Sequence, residues 1–401
     1  MSFLKSATVV FIAGALAACS SPPPPTESDD SHRVIYPGAM RAGAPFSPGV
    51  LAGETLYLAG QVGRDPATRE QPADIAEQTR LAMQNVGLIL GEAGLDFVNL
   101  VSCRVQLTDM DNYQPMNEVY GSFFSEGRYP ARTTLEVPAL VGGAEIEVSC
   151  VAYADASAIE IVRPAPDKIP PARGPYSPAV RAGDFVYLSG QGGREPMSGE
   201  IAETTEAQTT QTLDNISVML EAAELGFENV VQADFYYPPS SDRGEIENAW
   251  KARFGPGKTP SLGVVPLSRL PGDILVEITF LAAPQGASRL YSVGEAAGPL
   301  MTPAVLSGDV LYLSAFSKPE AGEGIEEQFR AILAEQESLL ALAGMGFESA
   351  VNANVYLRDV ADFDAMNVIF REVFPEAPPA RTTVGALLGD ARIAVELTAV
   401  K

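Results

Sequence analysis

His32 is the only histidine of the chain, and its cysteines are three, Cys19, Cys103 and Cys150. Zinc sites draw three or four ligands chiefly from Cys, His and carboxylates. One imidazole and no cysteine cluster make a Cys/His metal site unexpected, so no metal is assigned. Acid–base catalysis resting on histidine is unexpected for the same reason. Cys103 and Cys150 fall in apolar, strand-like runs, Val101–Leu107 and Ile146–Tyr153. They read as two buried free thiols. Whether they pair depends on how close the fold brings their Cα atoms, which spacing along the chain does not give.

The charge balance narrows the partners. Asp and Glu number 51 against 27 Lys and Arg, a net charge of −24. That field repels nucleic-acid phosphates and anionic headgroups, so neither nucleic acid nor a lipid surface is expected to bind through electrostatics. The excess acid reads as a solubility device.

At the N-terminus, Lys5 precedes an apolar run from Ala7 to Ala18 that ends in Leu16-Ala17-Ala18-Cys19, followed by Ser20, Ser21 and four prolines. The run is short for a membrane span. It resembles a bacterial lipoprotein signal, in which the Cys becomes the lipidated first residue. We therefore expect residues 1–19 to be a signal with Cys19 the lipidation site, and residues 20–33 a disordered tether. The implied location is the cell envelope, in the periplasm, with the membrane reached only through the lipid anchor.

The rest of the chain repeats. Thr55-Leu-Tyr-Leu-Ala-Gly60 returns as Phe185-Val-Tyr-Leu-Ser-Gly190 and as Val310-Leu-Tyr-Leu-Ser-Ala315, placing the tyrosines 130 and then 125 residues apart. A period that long means whole domains rather than solenoid turns. Composition sets the boundaries: module 1 at residues 34–155, a Pro-rich linker at 156–173, module 2 at 174–283, a Gly/Ala linker at 284–297 and module 3 at 298–401.

Each module opens on β-rich runs, the second carrying the Tyr-Leu alternation. In module 1, Asp74 with Glu77 starts a helix, Ile75, Met83, Val86 and Leu90 mark its buried face, and Gly94 stands where it should end. A strand, a second amphipathic helix and two further strands around a Gly-rich turn complete an α+β unit, a mixed sheet with two helices on one face. The other sheet face needs cover, which predicts modules packed on one another as an intramolecular pseudo-trimer, the protein being a monomer.

Module 1 also contains Ala44-Pro-Phe-Ser-Pro48, Ala59-Gly-Gln61, Thr108-Asp-Met-Asp111, Met116-Asn-Glu-Val-Tyr120, Pro130-Ala-Arg-Thr-Thr134 and Ile146-Glu-Val148. In this order the blocks resemble the signatures of the RidA/YjgF family. The resemblance implies a chorismate-mutase-like fold, a trimer around a central barrel, and ligand clefts between neighbours. The implied activity is hydrolysis of 2-imino or 2-enamino acids to 2-oxo acids and ammonia. It needs no cofactor, because the imine carbon is already electrophilic. A substrate carboxylate suits the bidentate fork of arginine, and a side-chain carboxylate must steer the attacking water.

On this resemblance the catalytic candidates are Arg132 with Glu147 and Arg381 with Glu396, each pair 15 residues apart. That spacing fits an arginine before a β-hairpin and a glutamate on its return strand. The substrate-binding candidates are Asn117, Thr134, Tyr176, Gly190, Gln191, Asn367 and Thr383. The two threonines stand where many family members have cysteine.

Module 2 departs from the pattern. It has Lys258-Thr-Pro-Ser-Leu-Gly263 where the arginine belongs, keeps Glu277, and has Glu247 or Asn248 for the helix asparagine. Conversely it keeps Tyr176 and Gln191, where module 1 has Phe46 and module 3 has Leu300 and Phe316. Composite clefts would then leave one well-furnished cleft and two degraded ones. The competing expectation is a protein that binds a small carboxylate or keto acid without turning it over.

Overall fold

The computed structural model describes residues 32–40, 43–255, 257–284, 288–290 and 300–401; the signal, Cys19 and most of the tether lie outside the described residues. Module 1 comprises β1 (His32–Ile35), β2 (Gly49–Ala52), β3 (Thr55–Leu58), β4 (Gln61–Val62), α1 (Ile75–Ala93), β5 (Leu100–Leu107), α2 (Tyr113–Gly121), β6 (Ala131–Glu136) and β7 (Ile146–Tyr153). Module 2 repeats this order. It runs through β8 (Ile159–Val162), β9 (Ala179–Ala182), β10 (Phe185–Leu188), β11 (Gln191–Gly192), α3 (Thr205–Ala222), β12 (Val230–Tyr237), α4 (Arg243–Arg253), β13 (Ser261–Pro266) and β14 (Glu277–Ala282). Module 3 has β15 (Ser288–Leu290), β16 (Ala304–Ser307), β17 (Val310–Phe316), α5 (Ile325–Leu342), β18 (Ala350–Leu357), α6 (Phe363–Val373), β19 (Ala380–Gly385) and β20 (Ile393–Val400).

Local rules account for the helices that carry the site. Asp74 caps α1 by accepting from the Glu77 N–H, and Gly94 closes it with a left-handed φ of 78°. The apolar stripe of α1, with Met116 and Tyr120 of α2, packs on the β5 and β7 side chains to form the module core. Equivalent cores fill modules 2 and 3.

The first sheet is ordered β1-β2-β3-β7-β5-β6, with β6 parallel to β5 and the other pairs of that path antiparallel. Thus β7 lies in the middle and β6 at the edge. The expected hairpin between them does not form, because β5 stands between the two strands. The expected linkers also carry structure: β8 and β15 each open the sheet of the following module. Ile159-Glu-Ile-Val162 alternates as a strand should, and the prolines that suggested a linker begin only at Pro164. His32 likewise belongs to β1 rather than to the tether.

Cys103 and Cys150 are direct cross-strand partners on β5 and β7, and a disulfide joins them with Cα atoms 4.1 Å apart. This replaces the expectation of two free thiols. Strand pairing across 47 residues brought them together, a fact that spacing in sequence does not contain.

The three modules touch in a repeated way. Ser177 N–H donates to Pro130 O, Thr302 N–H to Pro260 O, and Ser47 N–H to Pro379 O, joining modules 2 and 1, 3 and 2, and 1 and 3. Apolar clusters drawn from all three modules cover the sheet faces turned away from the helices.

Candidate active site between modules

Arg132 and Arg381 lie on the edge strands β6 and β19, and both are 3% exposed. Edge strands face a neighbour. Gly190 N–H of module 2 donates to Arg132 O, and Gly60 N–H of module 1 donates to Arg381 O, both at 3.1 Å. Each arginine therefore points into a cleft completed by the next module.

In the cleft between modules 1 and 2, Arg132 meets Gly190, Gln191, Tyr176 and Glu277 around a cavity of about 400 Å³. The Tyr176 ring centroid is 5.5 Å from the guanidinium carbon, with Tyr113 at 5.8 Å and Tyr120 at 5.0 Å on other sides. Nη2 of Arg132 donates to the Tyr113 hydroxyl at 3.3 Å. Its Nε and Nη1 are buried and have no hydrogen-bond partner among the described residues, and neither does the Asn117 amide or the Thr134 hydroxyl. Buried donors are rarely left unpaired. Guanidinium donors left free against a cavity are a seat for a ligand carboxylate.

Glu277 supplies the second half of the chemistry. Burial pushes its carboxyl up to about 8, against the pull of Arg132 and of the Thr134 backbone N–H that hydrogen-bonds it. The group sits protonated at neutral pH, close enough to its pKa to give and take a proton. A Cβ at 190 would overlap Glu277 Oε1, so glycine there is what leaves the carboxyl in place.

The cleft between modules 3 and 1 repeats this plan around a cavity of about 480 Å³ lined by Arg381, Thr383, Asn367, Gly60, Gln61 and Glu147. Burial lifts Glu147 to about 8, opposed by the Thr383 backbone N–H and by Arg381. Burial also lowers the pKa of the Arg381 guanidinium. Here Arg381 Nη2 donates to Asn367 Oδ1 at 2.7 Å, leaving Nε unpartnered among the described residues. The rings around it are Phe46, Phe363 and Phe370.

The third cleft, between modules 2 and 3, has lost the chemistry. Pairing Ala233 with Leu262 and Ala353 with Arg381 puts Leu262 at the arginine position. Glu147 stands opposite Gln106, Glu277 opposite Tyr236, and Ala394 opposite Tyr356, so the module 3 counterpart of the glutamates is Ala394. The equal 15-residue spacing to Glu396 was misleading, because the loop before β20 is two residues shorter. Glu396 instead accepts from Asn354 Nδ2 at 2.8 Å and from the Gln232 side chain, on the inner side of the sheets.

Two sequence pairings are thereby redrawn. Arg132 shares its cleft with Glu277 rather than Glu147, and Arg381 with Glu147 rather than Glu396. Two clefts carry arginine, glutamate and glutamine, where one was expected, because module 1 lends Glu147 and Gln61 to the arginine of module 3. The missing asparagine of module 2 is Glu247, which faces Arg243 and Lys251. Met301, not Leu300, matches Phe46 and Tyr176, since Thr302 makes the bond made by Ser47 and Ser177. Sequence reasoning passed over Glu277, Gln61 and Phe46 as site members; the repeat alignment held their positions, but assigning them to a cleft needed the order of the modules.

The chain is similar to known proteins over each module. The model of a family described as endoribonuclease L-PSP matches residues 37–154, 167–284 and 294–401. The 2-iminobutanoate/2-iminopropanoate deaminase of Bos taurus is 38% identical over 109 residues, 27% of this chain and 79% of that protein. The Homo sapiens protein of the same name is 38% identical over 117 residues, 29% of this chain and 82% of that protein. Protein DfrA of Myxococcus xanthus is 39% identical over 117 residues, 28% of this chain and 88% of that protein. Among solved structures, E. coli TdcF with bound serine shows 33% identity over 30% of this chain and 98% of that chain, with a TM-score of 0.29.

Proposed function

The chain belongs to the family described as endoribonuclease L-PSP, which includes the RidA/YjgF imine deaminases, and from this premise we propose that it hydrolyses 2-imino acids to 2-oxo acids and ammonia. The observation that carries the proposal is the pairing, in two separate clefts, of a buried arginine with free donors and a carboxyl of near-neutral pKa. Arg132 or Arg381 holds the substrate carboxylate. Protonated Glu277 or Glu147 gives its proton to the imine nitrogen, and the resulting carboxylate takes a proton from the water that attacks C2. The carbinolamine then collapses: the carboxyl, reprotonated by the water, passes that proton to the amine, which leaves as ammonia, and the resulting carboxylate draws the hydroxyl proton as the 2-oxo acid forms. The side chain ends as it began, so no cofactor is consumed.

The family description names a ribonuclease, but a net charge of −24 works against nucleic-acid binding and the clefts suit a small carboxylic acid. The test is ammonia release from 2-iminobutanoate generated in situ by an amino-acid oxidase. Acceleration by the wild type and its loss in an Arg132→Ala/Arg381→Ala variant are expected. Binding of 2-oxobutanoate without any acceleration would make the protein a binder of keto acids instead.

For location we propose an envelope protein lipidated at Cys19. No helix among the described residues is long and apolar enough to cross a membrane, and a Cys103–Cys150 disulfide fits an oxidising compartment. Cys19→Ala should move the protein from the membrane to the soluble fraction; a wild type that is soluble with Met1 intact would overturn this.

A further inference from the structure

The two arginine clefts differ by one consistent exchange. Every ring around Arg132 is a tyrosine, Tyr113, Tyr120 and Tyr176. Every ring around Arg381 is a phenylalanine, Phe363, Phe370 and Phe46. Tyr113 and Phe363 open α2 and α6 at equivalent places, Tyr120 and Phe370 lie seven residues further along each helix, and Tyr176 and Phe46 precede the equivalent Ser177 and Ser47. The fold and ring size are thus kept while three hydroxyls are gained or lost together.

We propose that the clefts have diverged in ligand: the cleft of modules 1 and 2 takes a dicarboxylic 2-imino or 2-oxo acid, and that of modules 3 and 1 takes one with an apolar side chain. The Tyr113 and Tyr176 rings line the first cavity, and Phe363 and Phe46 line the second. Tyr113 and Tyr176 use their oxygens to accept, from Arg132 Nη2 and from the Arg173 backbone N–H, which leaves both O–H groups to donate to a ligand oxygen. Asn117 adds an unpartnered buried amide behind Arg132, whereas Asn367 is already held by Arg381. Arg163, Arg173 and Arg194 also line the first cleft, where Glu277 is the single acid among the described lining residues. The second cleft also has Arg64, Arg69 and Arg371, but its lining includes two acids, Glu147 and Asp364, and its tyrosine, Tyr36, is not one of the rings over the Arg381 guanidinium. An oxygen-bearing side chain therefore finds phenol donors beside Arg132 and bare ring edges beside Arg381. An apolar one leaves phenol donors unpaired in the first, a mismatch a binding site rejects strongly.

This inference rests on the imino-acid reading for its carboxylate anchor, so its test reads binding apart from turnover. In the full chain, Arg381→Ala leaves only the tyrosine cleft furnished and Arg132→Ala only the phenylalanine cleft. Calorimetry with 2-oxoglutarate and 4-methyl-2-oxopentanoate should give opposite preferences in the two variants, about tenfold or more in each direction. Tyr113→Phe/Tyr176→Phe added to Arg381→Ala changes no fold-bearing contact of size, and should cut the 2-oxoglutarate preference about tenfold. The same preference in both single-cleft variants, an unmoved preference in the tyrosine variant, or no binding of either acid would overturn the proposal. Opposite preferences with no hydrolysis of any imino acid would leave the divergence standing and remove the hydrolase reading; hydrolysis with equal preferences would do the reverse.

Discussion

Glu277 and Glu147 are buried carboxyls beside an arginine, and desolvation outweighs the arginine in both, lifting them to about 8. The protonated carboxyl is the starting form in the proposed mechanism, so kcat/KM should hold level below about pH 7 and fall as pH rises through about 8. A profile that climbs through pH 8 would show instead that the carboxylate must be present at the outset. In stability the sign is also fixed: a carboxyl raised from 4.5 to about 8 contributes stability that is complete below its unfolded pKa and lost as pH rises through its folded one. Glutamine mimics the protonated form. Glu147→Gln/Glu277→Gln should therefore gain in Tm relative to the wild type as pH is raised from about 5 to 8.5, while losing turnover and keeping 2-oxo acid binding.

At the scale of elements, the site depends on which strands lie at the edge. Placing β5 between β6 and β7 sends the arginine outward to a neighbour and leaves the glutamate of the same module in mid-sheet, facing a different neighbour. The close approach that completes each cleft occurs at glycine: Gly190→Ala should push Glu277 aside and lower the activity that remains in an Arg381→Ala background, while leaving the activity of an Arg132→Ala background unchanged. The β5–β7 core is further held by the Cys103–Cys150 bond. Cys103→Ser/Cys150→Ser should lower stability by about 2–4 kcal/mol, read from denaturant midpoints with and without reductant. Equal midpoints for the oxidised wild type and the variant would show that the bond does not constrain the chain.

Across the whole molecule, one position is read three ways. Arg104, Asp234 and Asn354 are equivalents on β5, β12 and β18, and they meet where the modules converge: Arg104 pairs with Asp234 at 2.8 Å, Arg104 Nη1 donates to the Tyr356 hydroxyl at 3.3 Å, and Asn354 donates to Glu396. Burial raises both Asp234 and Glu396. Three identical subunits would bring three like residues together; a cation, an anion and an amide fit only a fixed order of different modules. We propose that this set holds the chain as a monomer, which sedimentation of the full 42.4 kDa chain or of its processed form would show. Arg104→Ala should cost about 3–5 kcal/mol by leaving buried acid unpaired, more at pH 8 than at pH 5, where Glu396 is protonated.

The sequence by itself determined the three-fold repeat, the α+β plan, the caps of α1 and the residue types of the site, because periodicity, capping and Gly placement are local consequences of side-chain chemistry. It also showed that module 2 lacks the arginine and keeps Tyr176. What tertiary structure decided was partnership. A 15-residue spacing could not tell Glu396 from Ala394, since a loop two residues shorter shifts register by one full side-chain period and keeps the same face. Neither could it reveal that Cys103 faces Cys150, or that Arg132 belongs with Glu277 of the next module. Those pairings follow from strand order and from the closing of one module on another, and both are set by long-range packing that no local stretch of the chain encodes.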